Sequence, residues 1–268
     1  MAMLALSAPD GLFYQYEPPT TRSRTFVFVN ALTGSAEMWQ AEIGPALRDQ
    51  GYGTLAYNLR GQADSPFAPG TVLDEALIVR DLERLMAEVA PPDPILVGLS
   101  IGGLYAARAH LAGASAVAMV LINTLRRPGP RLAWINDAML RAAATGGTRL
   151  LLDMYMPLLV NEDRQREIRA SFLVEDPYEP LPPEHGHYGL MQHARNADWD
   201  LPYEEIAIPV LILTGLCDRV FYDPDDVAEL AARLPNSRRI DLADAGHLIP
   251  AERPKETAAA LLDFADGL

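Results

Sequence analysis

The stretch Ile95-Leu96-Val97-Gly98-Leu99-Ser100-Ile101-Gly102-Gly103 decides the fold of this 268-residue chain. An apolar run ends abruptly in a serine, and the helix-compatible segment IGGLYAARAHL follows at once. Glycines stand two residues before and two residues after Ser100, which gives the pattern G-x-S-x-G at a predicted strand-to-helix junction. The backbone of such a turn is strained, and larger side chains at the glycine positions would collide. The pattern therefore predicts that the Ser100 hydroxyl stands clear of a sheet as a candidate nucleophile.

Strands and helices alternate on both sides of this junction. The predicted strands are short apolar runs at 3–8, 12–17, 25–29, 54–58, 95–99, 116–122, 209–215 and 238–242, the first two joined at Asp10-Gly11. The predicted helices are 38–50, a helix capped by Thr71 and stopped by Pro91-Pro92, the helix after Ser100, 225–234 and 254–266. The alternation predicts an α/β fold with a mostly parallel, eight-stranded sheet covered by helices on both faces.

The alternation stops between residues 125 and 207. Three helical stretches, 134–145, 148–156 and 162–173, precede a proline-rich, acidic piece, VEDPYEPLPPEHG. Because loops at the carboxyl end of a parallel sheet surround the usual ligand site, an insertion there predicts a cap. We therefore expect a core domain of residues 1–124 and 208–268 with a helical cap of residues 125–207. Additional helices that fill out a single domain are the alternative.

Charge and cysteine content restrict the partners. The net charge of −14 would repel phosphates, so we expect neither a nucleic-acid nor an anionic-membrane partner. Cys217 is the single cysteine, which excludes an intramolecular disulfide. The start MAMLALSAPDGL lacks the basic residues and long apolar run of a signal peptide. A cytoplasmic protein that acts on a small molecule is the expectation.

A serine nucleophile needs a histidine to accept its proton and an acid to orient that histidine. Asp218 follows the strand PVLILTG, and His247 lies in the loop after the strand RRIDL. Three other acids, Asp223, Asp225 and Asp226, are alternatives for the acid, but they lie where helix capping is the simpler role. The other histidines are His110, His185, His187 and His193. The pair His185 and His187 has no acidic or cysteine partner at a ligand spacing, so no metal site is predicted.

Three local phrases carry a family resemblance: VGLSIGG at the nucleophile, TGLCDRV at the acid and AGHLIPAERP at the base. With Ser100, Asp218 and His247 in this order, the chain resembles the α/β-hydrolase superfamily over nearly its whole length. The resemblance implies an eight-stranded hydrolase fold with the cap inserted after strand 6. It also implies a Ser-His-Asp triad and no cofactor.

The resemblance further implies an oxyanion hole made of two backbone N–H groups, from Ile101 and Leu32. Many relatives carry His-Gly after the corresponding strand, whereas this chain reads Asn30-Ala31-Leu32-Thr33-Gly34. The Asn30 amide or the Thr33 hydroxyl is a hypothetical additional donor. The loop NLRGQADS, residues 58–65, departs from the family phrase D-x-R-G-x-G-x-S at Asn58 and Ala63, and we assign it no chemistry.

The substrate is expected past the strand ends and under the cap. Arg126 and Arg127 follow strand 116–122 and are candidates to hold a substrate carboxylate or phosphate, the alternative being a solvated pair or a salt bridge. The apolar candidates are Leu32, Ile101, Trp134, Met139, Met154, Tyr155, Met156, Phe221 and Leu248; core packing is their alternative role.

These observations predict a serine hydrolase of an ester, thioester or lactone of a small organic acid, which acts through an acyl-enzyme. Relatives with the same triad transfer acyl groups or cleave C–C bonds, and some related proteins only bind a small molecule. An acyltransferase, a C–C hydrolase and a binding protein are therefore the alternatives.

Overall fold

The computed structural model describes residues 1–125 and 127–268, and a single sheet of eight strands forms its centre. The strands are β1 (Ala2–Ala5), β2 (Gly11–Glu17), β3 (Thr25–Val29), β4 (Gly53–Tyr57), β5 (Pro94–Leu99), β6 (Ala118–Ile122), β7 (Val210–Gly215) and β8 (Ser237–Leu242). Their spatial order is β1-β2-β4-β3-β5-β6-β7-β8. Only the pairs β1–β2 and β2–β4 are antiparallel in this sheet. The predicted α/β fold with a mostly parallel, eight-stranded sheet is confirmed.

Helices cover both faces of the sheet. They are α1 (Ala36–Ala41), α2 (Ile43–Asp49), α3 (Glu75–Val89), α4 (Ile101–Leu111), α5 (Pro130–Leu159), α6 (Glu162–Ile168), α7 (Gly186–Ala194), α8 (Pro224–Arg233), α9 (Ile249–Glu252) and α10 (Pro254–Asp266). Val27 and Val29 of β3 pack with α3, α4 and α8, whereas Phe26 and Phe28 pack with α1, α2 and α10. Since alternate side chains of a strand point to opposite faces, β3 presents apolar residues to both faces from Phe26 to Val29.

Some element boundaries differ from the predicted ones for local reasons. The helix predicted at 38–50 is divided at Glu42 into α1 and α2, because Pro45 lacks the N–H that a continuous helix would require. Helix α3 is capped by Asp74, whose carboxylate accepts from the Leu77 N–H at 2.8 Å. The Thr71 hydroxyl, predicted as this cap, instead donates to the Ala68 carbonyl.

Residues 125–207, which we call the inserted segment, connect β6 to β7 and contain α5, α6 and α7. Helix α5 has non-helical backbone at Gly146 and Gly147, and these two glycines separate the stretches predicted at 134–145 and 148–156. Gly147 has φ +73°, and a Cβ there would lie 2.4 Å from the Glu179 carbonyl oxygen. Helix α6 ends earlier than predicted, and α7 was not predicted. Across the described ranges, every helix is too short or too polar to cross a bilayer.

Candidate active site

Ser100 lies on the turn between β5 and α4. Its backbone has φ 57° and ψ −125°, a strained conformation for a residue with a side chain. A Cβ on Gly98 would lie 2.4 Å from the Gly103 backbone, and a Cβ on Gly102 would lie 2.3 Å from the Val29 carbonyl oxygen. The close approach of β3, β5 and α4 therefore requires the two glycines of the G-x-S-x-G pattern, and the turn holds Ser100 at the carboxyl edge of the sheet.

Asp218 and His247 meet at the same edge, after β7 and β8. The Asp218 Oδ2 and the His247 Nδ1 are 2.6 Å apart, and both side chains are buried. The other carboxylate oxygen of Asp218 accepts from the N–H groups of Val220 and Phe221, each at 2.9 Å. These bonds orient the carboxylate towards the imidazole. Of the alternative acids, Asp223 caps α8 by accepting from the N–H groups of Asp225 and Asp226.

The loop that carries the histidine, residues 243–248, is here called the base loop, and other elements hold its backbone. The Asn123 side-chain amide donates to the carbonyls of Gly246 and His247 at 3.0 and 2.8 Å. The His247 N–H donates to the Leu159 carbonyl at 2.5 Å, at the end of α5. Glu252 accepts from the N–H groups on both sides of His247. Neither Asn123 nor Glu252 was predicted as a site residue, because their contacts depend on the tertiary fold.

The loop after β3, residues 30–34, lines the same cavity as Ser100 and His247. Gln62 is fully buried, and its amide donates to the carbonyls of Ala31 and Leu32 at 2.7 and 2.9 Å. Its oxygen accepts from the Leu59 N–H and from the Asn30 side chain. Gln62 thus holds the backbone that carries the Leu32 N–H, a contribution that the sequence analysis did not assign to residues 58–65.

The Asn30 amide, one of the two hypothetical additional donors, is bonded to Tyr57 and Gln62. Asn30 is buried, and its amide nitrogen donates to the Tyr57 carbonyl at 2.8 Å and to Gln62. Its oxygen accepts from the Trp39 indole N–H at 2.8 Å. The side chain is therefore occupied behind the loop. Thr33, the other hypothetical donor, does line the cavity described next.

A cavity of about 150 Å³ lies between the sheet edge and the inserted segment. The core contributes Ser100, His247, Leu32, Thr33 and Ile101, together with Phe221 and Leu248. The inserted segment contributes mainly apolar side chains: Leu125, Pro128, Leu132, Met139, Leu151, Leu152, Tyr155, Met156, Leu159, Met191, Ala194 and Trp199. The predicted nucleophile and base thus share one largely apolar chamber.

The remaining predicted pocket residues divide into two groups. Tyr155, Phe221 and Leu248 line the cavity, and the Phe221 ring centre lies 4.4 Å from that of His247. Trp134 was predicted to line it but is 79% exposed, because it lies on the outward face of α5. Met154 is likewise exposed.

Of the predicted arginine pair, the structure describes Arg127. Arg127 is exposed and does not line the cavity, and its backbone N–H donates to the Asp226 carboxylate at 3.2 Å. Arg126 lies outside the described residues.

Few charged groups border the cavity. Arg195 lines it, and its guanidinium is 2.6 Å from the Asp137 carboxylate. Burial raises the pKa of the Tyr155 phenol above its ordinary value, so this lining residue is uncharged at neutral pH, as an ordinary tyrosine is. Within residues 1–125 and 127–268, no group of three or more His, Cys, Asp or Glu side chains is arranged to hold a metal ion.

Comparisons with known proteins agree with this architecture. The sequence model of the alpha/beta hydrolase family matches residues 26–260. A putative carbamate hydrolase of Variovorax paradoxus is 27% identical over 213 residues, which cover 77% of this chain and 78% of that protein. An esterase from Exiguobacterium antarcticum superposes with a TM-score of 0.83 at 16% identity, over 98% of both chains. The enol-lactonase from Burkholderia xenovorans superposes with a TM-score of 0.79 at 23% identity, over 99% of this chain and 100% of that one.

Proposed function

The chain belongs to the alpha/beta hydrolase family of enzymes, and we propose that it is a serine hydrolase of carboxylic esters, thioesters or lactones. The observation that carries the proposal is the 2.6 Å contact between Asp218 and His247, next to a cavity that His247 shares with Ser100. A buried acid that orients an imidazole beside a strained serine is the arrangement that activates a hydroxyl group.

In the proposed reaction, the Ser100 Oγ attacks the substrate carbonyl carbon while His247 accepts the hydroxyl proton. Asp218 stabilises the imidazolium that forms. The N–H groups of Leu32 and Ile101 donate to the oxygen that becomes negative, and each such donor contributes about 3 kcal/mol to the barrier reduction. When the carbonyl re-forms, the bond to the leaving oxygen or sulfur breaks and His247 returns the proton to it. Water then attacks the acyl-enzyme by the same steps and releases the acid.

The cavity lining favours an uncharged substrate with a small apolar group. A chamber of about 150 Å³ holds a group about as large as a benzene ring. The guanidinium of Arg195 borders it but already faces Asp137, so it offers an anionic substrate little additional attraction. We propose that the inserted segment acts as the cap that encloses this group.

Labelling with a fluorophosphonate, followed by intact mass, tests the activated serine. We expect one adduct on the native protein, none on Ser100→Ala, and labelling that is slower by orders of magnitude on His247→Ala. The exposed Trp134→Ala variant is the control and should label at the native rate. A native protein that takes up no adduct would contradict the proposal and favour a binding protein.

A matched pair of 4-nitrophenyl esters tests the substrate class. The 5-methylhexanoate and the glutarate monoester have acyl groups of the same shape, and only the second carries a charge. We expect kcat/KM to be at least about 10-fold higher for the neutral ester, since the carboxylate must lose its hydration in an apolar cavity. Equal or faster turnover of the glutarate ester would contradict the preference and would direct attention to Arg126.

A further inference from the structure

Glu252 is a buried carboxylate outside the predicted triad. It ends α9, is 7% exposed and follows the base loop by four residues. No lysine, arginine or histidine of the described residues lies within 4.0 Å of its carboxylate. A buried carboxylate without a cation is costly unless strong donors surround it. The donors of Glu252 therefore indicate what the residue does.

Three backbone N–H groups supply these donors. The Oε2 atom accepts from Gly246 at 2.9 Å and from Asn161 at 2.7 Å, and the Oε1 atom accepts from Leu248 at 3.0 Å. Gly246 and Leu248 are the residues on either side of His247. The carboxylate thus bridges the backbone across the histidine, and such charge-assisted bonds are about twice as strong as neutral ones.

The third donor belongs to a different part of the chain. Asn161 is the residue that caps α6 in the inserted segment, and its own amide also donates to the Asp244 carbonyl of the base loop at 2.6 Å. The neighbouring carbonyl of Leu159 accepts from the His247 N–H. A Cβ on Gly246 would lie 2.2 Å from that carbonyl oxygen, so the two backbones pack as closely as they can.

We infer that Glu252 is a positioning residue that fixes the His247 backbone and ties it to the inserted segment at Asn161. The inference rests on the proposed function, in which His247 is the base. Its consequence is that the imidazole keeps its place between Asp218 and Ser100 only while the junction at residues 159–161 is seated on the base loop. A displacement of about 1 Å at a catalytic group lowers a rate by about 100-fold.

The variant Glu252→Gln tests the inference because the amide preserves the shape of the side chain but replaces one acceptor oxygen with a donor. We expect kcat for the neutral ester to fall by at least about 10-fold while KM changes by less than about twofold. The rate of fluorophosphonate labelling should fall by the same factor. Hydrogen exchange measured on peptides that contain residues 244–250 should become faster.

The matched control is Asp153→Asn in α5. Asp153 is also 7% exposed, and among the described residues its carboxylate accepts from two neutral donors, the Leu173 N–H and the Tyr178 hydroxyl. Both of these partners lie within the inserted segment, away from the base loop. We expect this variant to lower Tm but to leave kcat and the exchange of residues 244–250 at native values.

Two results would overturn the inference. One is a Glu252→Gln variant with a lowered Tm but a native kcat per folded molecule; the other is a loss confined to KM. If Glu252→Gln does not fold, Glu252→Asp keeps the charge and shortens the reach by one methylene, and the same changes are expected in smaller measure. A native protein without turnover or labelling would contradict the proposed function, whereas the exchange measurement would still report whether Glu252 holds the base loop.

Discussion

Two loops support the active site, and they are held in opposite ways: the base loop lines the cavity through His247, and residues 58–65 lie behind the loop after β3, which lines it. Residues 58–65 after β4 hold themselves and their surroundings with their own side chains: Asn58 accepts from the Ala36 N–H, Gln62 bonds to the loop after β3, and Ser65 donates to the Asn58 carbonyl. The base loop is instead held at its backbone, by Asn123 and Glu252 and by the last turn of α5. Its histidine side chain is thereby left for the acid and the cavity.

The difference shows how a loop can be both rigid and reactive. A buried backbone must have its N–H and C=O groups bonded, and a loop can satisfy them with its own side chains or with those of its neighbours. A loop that uses its own polar side chains has none left for a substrate. Preorganised catalytic groups need support from outside, and the base loop receives it from three separate elements.

The largest expected effect is on kcat and comes from removing the side chain of His247 in the base loop. His247→Ala should lower kcat by at least about 10⁴-fold, because it removes the group that we propose as the acceptor of the Ser100 proton. Since the backbone of the base loop is held from outside, we expect Tm to change by only a few degrees. Steady-state hydrolysis and a thermal melt measure the two quantities. A kcat within 10-fold of the native value would show that another base serves Ser100.

The second-largest effect concerns residues 58–65, here called the self-held loop, and we expect it to change the free energy of unfolding but not kcat. Arg60 bonds to Asp81 through two nitrogens, at 2.9 and 2.5 Å, and its third nitrogen is 2.6 Å from Asp10. Arg60→Met would leave the largely buried carboxylates of Asp10 and Asp81 without their arginine partner. Such a loss costs about 3–5 kcal/mol of unfolding free energy. Urea unfolding measures this loss. Because Arg60 does not line the cavity, the folded variant should keep the native kcat, and a large loss of kcat would contradict the division between the loops.

Gln62 tests whether the self-held loop also affects catalysis, because its side chain bonds to the loop that carries the Leu32 N–H. Gln62→Met would remove the Gln62 donor from the Leu32 carbonyl and leave the Ala31 carbonyl with the Gly34 N–H, which costs about 1–3 kcal/mol of stability. We also expect kcat to fall by about 10-fold with little change in KM, because the Leu32 N–H loses its fixed direction. The kinetic constants of the folded variant measure this. An unchanged kcat would mean that Leu32 does not serve the oxyanion.

The smallest expected effect is on the pH dependence of Tm and concerns α7. This helix packs closely against the self-held loop, since a Cβ on Gly186 would lie 1.9 Å from the Gly61 carbonyl oxygen. Burial, and to a lesser degree the neighbouring His185, lower the pKa of His187. The folded protein thus binds this proton less readily than the unfolded chain. The corresponding stability is present above the unfolded pKa of about 6.5 and is lost as the pH falls through the lower folded value.

Thermal melts at pH 7.5 and 5.5 measure this contribution. We expect His187→Gln to reduce the acid-induced drop in Tm by at most about 2 °C. The control is His193→Gln, which removes a histidine from the last turn of the same helix and should retain the native pH dependence. A drop that is identical in all three proteins would assign the acid sensitivity to other groups.

Much of the fold could be predicted from local patterns. The strands of the sheet were recognisable as short apolar runs, and the glycines around Ser100 mark a turn that only glycine permits. The break in α5 was visible as Gly146-Gly147. Asp218 and His247 could be selected because each lies in the loop after a predicted strand and the carboxyl ends of parallel strands meet at one edge.

The supporting residues could not be predicted, because their partners are distant in sequence. Asn123 contacts residues more than 120 positions away, and Glu252 contacts Asn161 across 91 positions. Trp134 shows the opposite limitation: an aromatic residue in a helix near the site was expected to face inward, but its position on α5 directs it to solvent. A helix of mixed polarity does not reveal from sequence alone which of its faces covers a cavity.

The last turn of α5 has a consequence for engineering chimeras. The carbonyls of Leu158 and Leu159 lie at a helix end, where no intrahelical donor remains. They accept instead from the backbone N–H groups of Arg219 and His247, in the two loops that carry Asp218 and His247. A graft that exchanges all of residues 125–207 would replace these carbonyls with those of another backbone, and both loops would be disturbed wherever that backbone ends in a different position. The suitable crossover point is therefore the glycine pair at 146 and 147, so that the donor supplies the half-helix before it and the recipient keeps its own final turns.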